Sequence, residues 1–260
     1  TVAVESPGFY GVLQLLEQLK LKILEIPSSP QTGLNLDKLQ QALEQHSIKA
    51  CVVSPSFATP TGAWMPDDHK QRLMVLANRH DLLLIEDDIY GELSFSNRAS
   101  PLLAFDSQDR VILCSSFSKS LSRDLRLGWI YSKRFRDQIL RLKLSTQLAS
   151  SMGVQEGISE FIAQGHFRRH LTQFNRQLVT HRNQLVSAVL QHWPNGVKYT
   201  LPQGGQALWV ELDESLDCNR LYRQMLNQGI ILTPGSLFSM SHNYKHGLRL
   251  SFNQPIIGER

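Results

Sequence analysis

Long apolar runs are missing from this 260-residue chain. Nowhere do about eighteen consecutive apolar residues occur, so no membrane-spanning helix is expected. The amino end has no basic-then-apolar leader, and no secretory signal is expected either. Cysteine is scarce: Cys51, Cys114 and Cys218 are three, odd in number and widely spaced. Two of them sit in apolar runs, which argues against a disulfide framework and for buried thiols in a reducing, cytoplasmic setting. Charge of one sign is not in excess: the net charge is +4, with much of the Lys and Arg between Arg123 and Lys143 and between Arg168 and Arg182. With few interleaved aromatics and no recognition-helix pattern, both segments read as solvated helix faces rather than a nucleic-acid surface. What remains, 42% hydrophobic and 19% charged residues, is enough to bury a sizeable core in one large or two modest domains.

The chain alternates between short apolar runs and periodic segments. Glu5-Ser6-Pro7-Gly8-Phe9-Tyr10 leads into a helix reaching about Lys20, with Leu13, Leu16 and Leu19 on or near one face. Leu21–Ile26 reads as a strand, Asn35–His46 as a helix and Ile48–Val53 as a strand. This βαβ alternation argues for an α/β fold with a mostly parallel sheet. Met65-Pro66-Asp67-Asp68 opens another helix, proline early and acids in the first turn, which explains Asp67, Asp68 and His69 better than a metal site does. Leu82–Ile85 and Val111–Cys114 are buried-strand runs, Leu127–Tyr131 a further strand, and Arg134–Gln147 a helix leading out of a first domain.

Small polar residues at Ser145–Gly153 mark a boundary, giving a large domain over 1–148 and a small α+β domain over 149–260. The second part reads as helices over Gly153–Gln164 and His166–His192, then strands at Ala207–Leu212, Gly229–Leu232 and Gly247–Phe252 with a helix at Asn219–Asn227. His166 and His170 have a metal-capable spacing, but with Arg168 and Arg169 between them a basic exposed face is expected.

Two stretches carry chemistry. In Ser115-Ser116-Phe117-Ser118-Lys119, a lysine stands among hydroxyls on the loop leaving a strand, and Arg126 follows seven residues later. A lysine amine there can form a Schiff base with an aldehyde, and Ser116, Ser118 and the Arg126 guanidinium can hold a phosphate on it. The plainer reading is a solvated serine-rich loop. In Ile85-Glu86-Asp87-Asp88-Ile89-Tyr90, acids close a buried strand at the end where open α/β sheets bind ligands. Asp87 facing a pyridine nitrogen would keep it protonated, and Tyr90 could donate to a phenolate oxygen on the same ring. One of the three acids can equally serve as a helix cap.

Together these stretches resemble the class I/II aminotransferase type of pyridoxal-phosphate enzyme, with its Asp-x-x-Tyr strand end, Ser-x-Ser-Lys loop and later arginine. The resemblance implies fold type I, Lys119 as the covalent anchor, Asp87 on the pyridine nitrogen, Tyr90 on the ring oxygen, and Ser116, Ser118 and Arg126 around the phosphate. It also implies Phe9 stacked on the ring, where the residue-level alternative is a hydrophobic staple. Thr59, within Ser54–Gly62, falls where the family has an asparagine, and its shorter reach weighs against efficient transamination. Arg249, alone among Leu248, Leu250 and Phe252, takes the place of the carboxylate-binding arginine, although an alternating strand would also leave it in solvent. Thr233-Pro234-Gly235-Ser236 is expected to line the same cleft.

Glu86–Leu93, Phe167–Leu171 and Leu248–Phe252 further resemble the effector domain of the MocR group of GntR-type transcription regulators, in which a winged helix precedes an aminotransferase-like domain. No winged-helix segment is present in this sequence, the family's small-residue phosphate loop is missing, and Ser122-Arg123-Asp124 replaces its usual proline and glycine. A fragment is therefore expected. The implied partners are an amino acid or other small amine, a second copy in a homodimer, and DNA only through a domain outside this chain. A catalytic aminotransferase is the alternative.

Overall fold

The computed structural model describes residues 1–255. The apolar runs become a seven-stranded sheet: β1 (Val2–Ser6), β2 (Ile23–Ser29), β3 (Gly33–Leu34), β4 (Ala50–Val53), β7 (Leu83–Asp87), β8 (Val111–Ser116) and β9 (Gly128–Tyr131). A two-stranded ribbon, β5 (Ser56–Ala58) and β6 (Ala63–Trp64), interrupts the series. The order across the large sheet is β3-β2-β1-β4-β7-β8-β9. The five strands from β2 to β8 run parallel, while β3 and β9 pair antiparallel at the two edges. The central β1, built from Val2-Ala3-Val4, is absent from the strands expected from sequence.

Helices α1 (Tyr10–Gln18), α2 (Leu36–Gln45) and α3 (Asp67–Arg79) connect these strands. Asn35 caps α2 by accepting the Lys38 N–H at 3.0 Å, and His46 ends it, within the span expected. On α1, Leu13 and Leu16 are buried, but Leu19 is the C-cap residue and points outward. Leu34, Leu39, Leu73, Leu82, Leu84 and Met65 are fully buried in the main core, between the sheet and α2 and α3.

Beyond β9 come α4 (Arg136–Thr146), α5 (Met152–Ala163) and the 27-residue α6 (His166–His192). A second, four-stranded antiparallel sheet follows, ordered β10-β11-β13-β12 from β10 (Lys198–Tyr199), β11 (Ala207–Glu211), β12 (Thr233–Pro234) and β13 (Gly247–Ser251), with α7 (Cys218–Leu226) before β12. The strand expected at Gly229–Leu232 does not form. Gly229 takes φ +76° and the Ile230 N–H returns to the Met225 carbonyl at 3.0 Å, so these residues close α7 as a left-handed cap, and pairing begins only at Thr233. A second core joins Phe57, Tyr90 and Leu93 of the first half to Leu178, Leu208 and Phe252 of the second. Among the described residues, no helix is long and apolar enough to cross a membrane.

Candidate functional site

Because β4, β7 and β8 are parallel neighbours, their carboxyl ends open side by side, where α/β sheets place ligand crevices. Ser54 follows β4, Asp87 ends β7, and Lys119 lies on the loop leaving β8. These ends and β13 enclose a cavity of about 100 Å³, in whose wall six of the expected residues meet: Phe9, Thr59, Asp87, Tyr90, Lys119 and Arg249. Arg249 thus faces the cavity rather than open solvent. Tyr10, Ser54 and Ile89 complete the wall. Sequence reading passed over all three, although Ser54 stands at a strand's carboxyl end, which is a usable signal.

The three consecutive acids divide their work. Glu86 is fully buried and accepts the Leu102 and Leu103 N–H groups at 2.6 and 2.9 Å, so it does serve as a cap, but of the one-turn helix Leu102–Phe105. Asp88 turns the other way and pairs with Arg98 at 2.7 Å, while Arg98 also reaches Glu92 at 2.7 Å. Asp87 alone faces the cavity, its side chain accepting only a long 3.3 Å bond from the Ile89 N–H. Burial pushes the Asp87 carboxyl up to about 6; the Asp88 charge adds to the rise, while the Ile89 N–H and the Lys119 amine oppose it. Behind it, burial pushes Glu5 up to about 8; one Glu5 oxygen accepts the Ser54 N–H at 2.8 Å and the other has no partner. Among the buried polar atoms without partners, two belong to residues of the cavity wall: Thr59 Oγ1 and Arg249 Nε.

The lysine loop is pinned by Phe117, which is buried between the rings of Trp129 at 4.9 Å and Phe167 at 5.6 Å and whose carbonyl accepts the Leu121 and Ser122 N–H groups. Ser116 Oγ accepts the Ser118 N–H at 3.3 Å. Ser116 and Ser118 are half-buried, and Arg126 is exposed at φ +49° after the turn Arg123–Leu125; none of the three lies in the cavity wall. On α6, Arg168 and Arg169 face solvent as expected, but His170 does not. It is half-buried, stacked on Phe174, with its Nε2 2.9 Å from the Ser120 carbonyl.

The profile of the family Aminotransferase class I and II matches residues 1–255. This chain belongs to that family. As a class I and II aminotransferase-like domain it is 37% identical over 257 residues to the uncharacterized HTH-type transcriptional regulator YjiR of Escherichia coli, covering 98% of this chain and 54% of the regulator. It is 28% identical over 258 residues to aromatic-amino-acid aminotransferase 1 of Thermococcus litoralis, covering 96% of this chain and 62% of that enzyme. Among solved structures, the kynurenine aminotransferase of Pyrococcus horikoshii, in complex with PMP, superposes with a TM-score of 0.92 at 27% identity, over 98% of this chain and 65% of that one. The family domain thus spans about half the length of the regulators it matches, and its fold is that of the fold type I aminotransferases.

Proposed function

We propose that this domain binds pyridoxal phosphate through Lys119 and receives an amino compound beside it, as the effector-sensing part of a transcription regulator. One observation carries the reading: a lysine amine, a buried carboxyl, a phenol and a guanidinium from three separate segments converge on one cavity at the carboxyl ends of parallel strands. The donor set fits the cofactor. When bound, pyridoxal phosphate supplies a carbonyl that condenses with amines and a ring that withdraws electrons from the attached carbon. Asp87, raised by burial to about 6, would be held in its charged form opposite a protonated ring nitrogen, and the unpartnered Thr59 hydroxyl is available to a ring substituent. Phe9 and Tyr90 supply apolar faces and a phenol. Arg249, with Nε unpartnered, is placed to hold a carboxylate in bidentate fashion. Ser116, Ser118 and Arg126 are assigned to the phosphate on chemistry and loop proximity.

The regulator reading rests on the relatives: YjiR and a second Escherichia coli HTH-type regulator, YdcR, are 37% and 35% identical to this chain. DNA would then be bound by another part of the whole protein, and a homodimer is in keeping with the half-exposed Trp129, Ile130 and Tyr131 on the edge strand β9. The deciding experiment is an absorbance titration of the whole protein with pyridoxal phosphate, repeated for Lys119→Ala and then with a panel of amino acids. A band present in the wild type and lost in the variant is expected; its absence in both would overturn the reading. Net conversion of the cofactor to its amine form by amino acids would make the protein a transaminase rather than a sensor.

A further inference from the structure

Two carbonyl groups of the lysine loop are held from distant parts of the chain. Gln206 Nε2 donates to the Lys119 carbonyl at 3.2 Å, and His170 Nε2 stands 2.9 Å from the Ser120 carbonyl. A carbonyl can only accept, so the His170 bond requires the proton on Nε2. Gln206 reaches the loop because the turn before it is drawn in tightly. A Cβ at Gly204 would overlap the Phe57 ring, Gly205 takes φ +71°, and its N–H donates to the Leu93 carbonyl at 2.8 Å. Gln206 is only 8% exposed, and burying its amide is costly unless the amide is paired, which the Lys119 carbonyl achieves.

The same residue grips the other side of the cavity. The Gln206 carbonyl accepts the Phe252 N–H at 3.1 Å and the Ser251 hydroxyl at 3.4 Å, both just beyond Arg249 at the end of β13. A lysine side chain has four rotatable bonds, so the position of its amine depends first on how firmly its backbone is held. We propose that Gln206 is a positioning residue for Lys119: it ties the backbone of the reactive lysine to the end of the strand that carries Arg249, and so fixes the amine relative to the carboxylate-binding side. The proposal rests on the reading of Lys119 as the covalent anchor.

The test is Gln206→Met in the whole protein, which keeps the side chain's length and removes the donor, with Gln206→Glu as a second variant that replaces the donor by an acceptor. In cofactor-free protein, amide hydrogen exchange over Ser118–Ser122 should quicken by roughly 5–10-fold, the worth of one net hydrogen bond, while exchange in Val111–Cys114 stays unchanged. With pyridoxal phosphate added, methylamine competes with Lys119 for the cofactor carbon. Its nitrogen bonds to that carbon as the Lys119 nitrogen leaves, and the two protons lost by the methylamine nitrogen are taken up by the freed lysine amine. Borohydride trapping and mass spectrometry then give the fraction held on Lys119. A looser backbone lowers the effective concentration of the lysine amine, so the methylamine needed for half displacement should fall about 10-fold, whereas a merely structural loss would lower the melting temperature and leave this competition alone. Unchanged competition in variants that fold would overturn the proposal. Should wild-type protein carry no cofactor on Lys119, the anchor reading fails by itself, and hydrogen exchange still decides whether Gln206 holds the loop.

Discussion

The two ends of the candidate site differ in how this chain builds them. Around Asp87 each neighbouring acid has a partner: Glu86 in a backbone turn, Asp88 in Arg98, Glu5 in the Ser54 N–H, with alternate residues of the strand fully buried. Around Lys119 the backbone is pinned by Phe117, but Ser116, Ser118 and Arg126 lie outside the cavity wall, and Arg126 is exposed. The first end is held because a buried carboxylate without partners is costly, so Glu86, Asp88 and Glu5 each keep at least one oxygen paired while Asp87 has only its long bond from the Ile89 N–H. The second end has no such compulsion, since hydroxyls and a guanidinium can wait in water.

The sharpest way to break this comparison is Glu86→Ala, which leaves the buried Leu102 N–H, and the Leu103 N–H beside it, without an acceptor. About 2–5 kcal/mol of stability should be lost, read by urea unfolding, while whatever folds still binds pyridoxal phosphate. Asp87→Asn should do the reverse, with stability at neutral pH nearly kept and cofactor affinity falling roughly 10–100-fold in an absorbance titration. If the two variants behaved alike, the division of labour between adjacent acids would be wrong. Arg126→Ala is expected to weaken cofactor binding about 10-fold with no change in melting temperature, because its side chain is in solvent.

The effect that depends on pH concerns Glu5. Its folded value near 8 lies above its ordinary 4.5, so the stability it contributes is complete below about 4.5 and lost as pH rises through about 8. Glu5→Gln should therefore match the wild type near pH 4 and melt higher at pH 9, by roughly 2–4 °C for each kcal/mol. Thermal scans at the two pH values check it, and parallel melting curves would exclude a buried, protonated Glu5.

Much of this was legible from residue order alone. Asp87 and Tyr90 could be singled out as polar groups closing an apolar run, Lys119 as an amine among hydroxyls on the loop after one, and Arg249 by its place in the resembled family's final strand. The strands β4, β7, β8 and β11 were legible from the apolar runs themselves. Val2-Ala3-Val4 was not, being three residues beside an acid whose burial only the neighbours β2 and β4 explain. Gly229–Leu232 misled because β-branched residues after a glycine fit both a strand and a helix cap, and the choice was made by Gly229's left-handed backbone. Gln206 and His170 had no local signal: their partners lie 87 and 50 residues away.

The strand order has a consequence for how the molecule comes together. Asp87 ends β7 and Lys119 follows β8, neighbouring strands joined through segment 88–110, so this pair forms with a much shorter closure than the one that brings in Arg249. Arg249 and Gln206 join only after α4, α5 and α6 have been traversed, and such closures are slow to form. The aspartate and the lysine are thus assembled early on the folding path, and the guanidinium that completes the cavity arrives last.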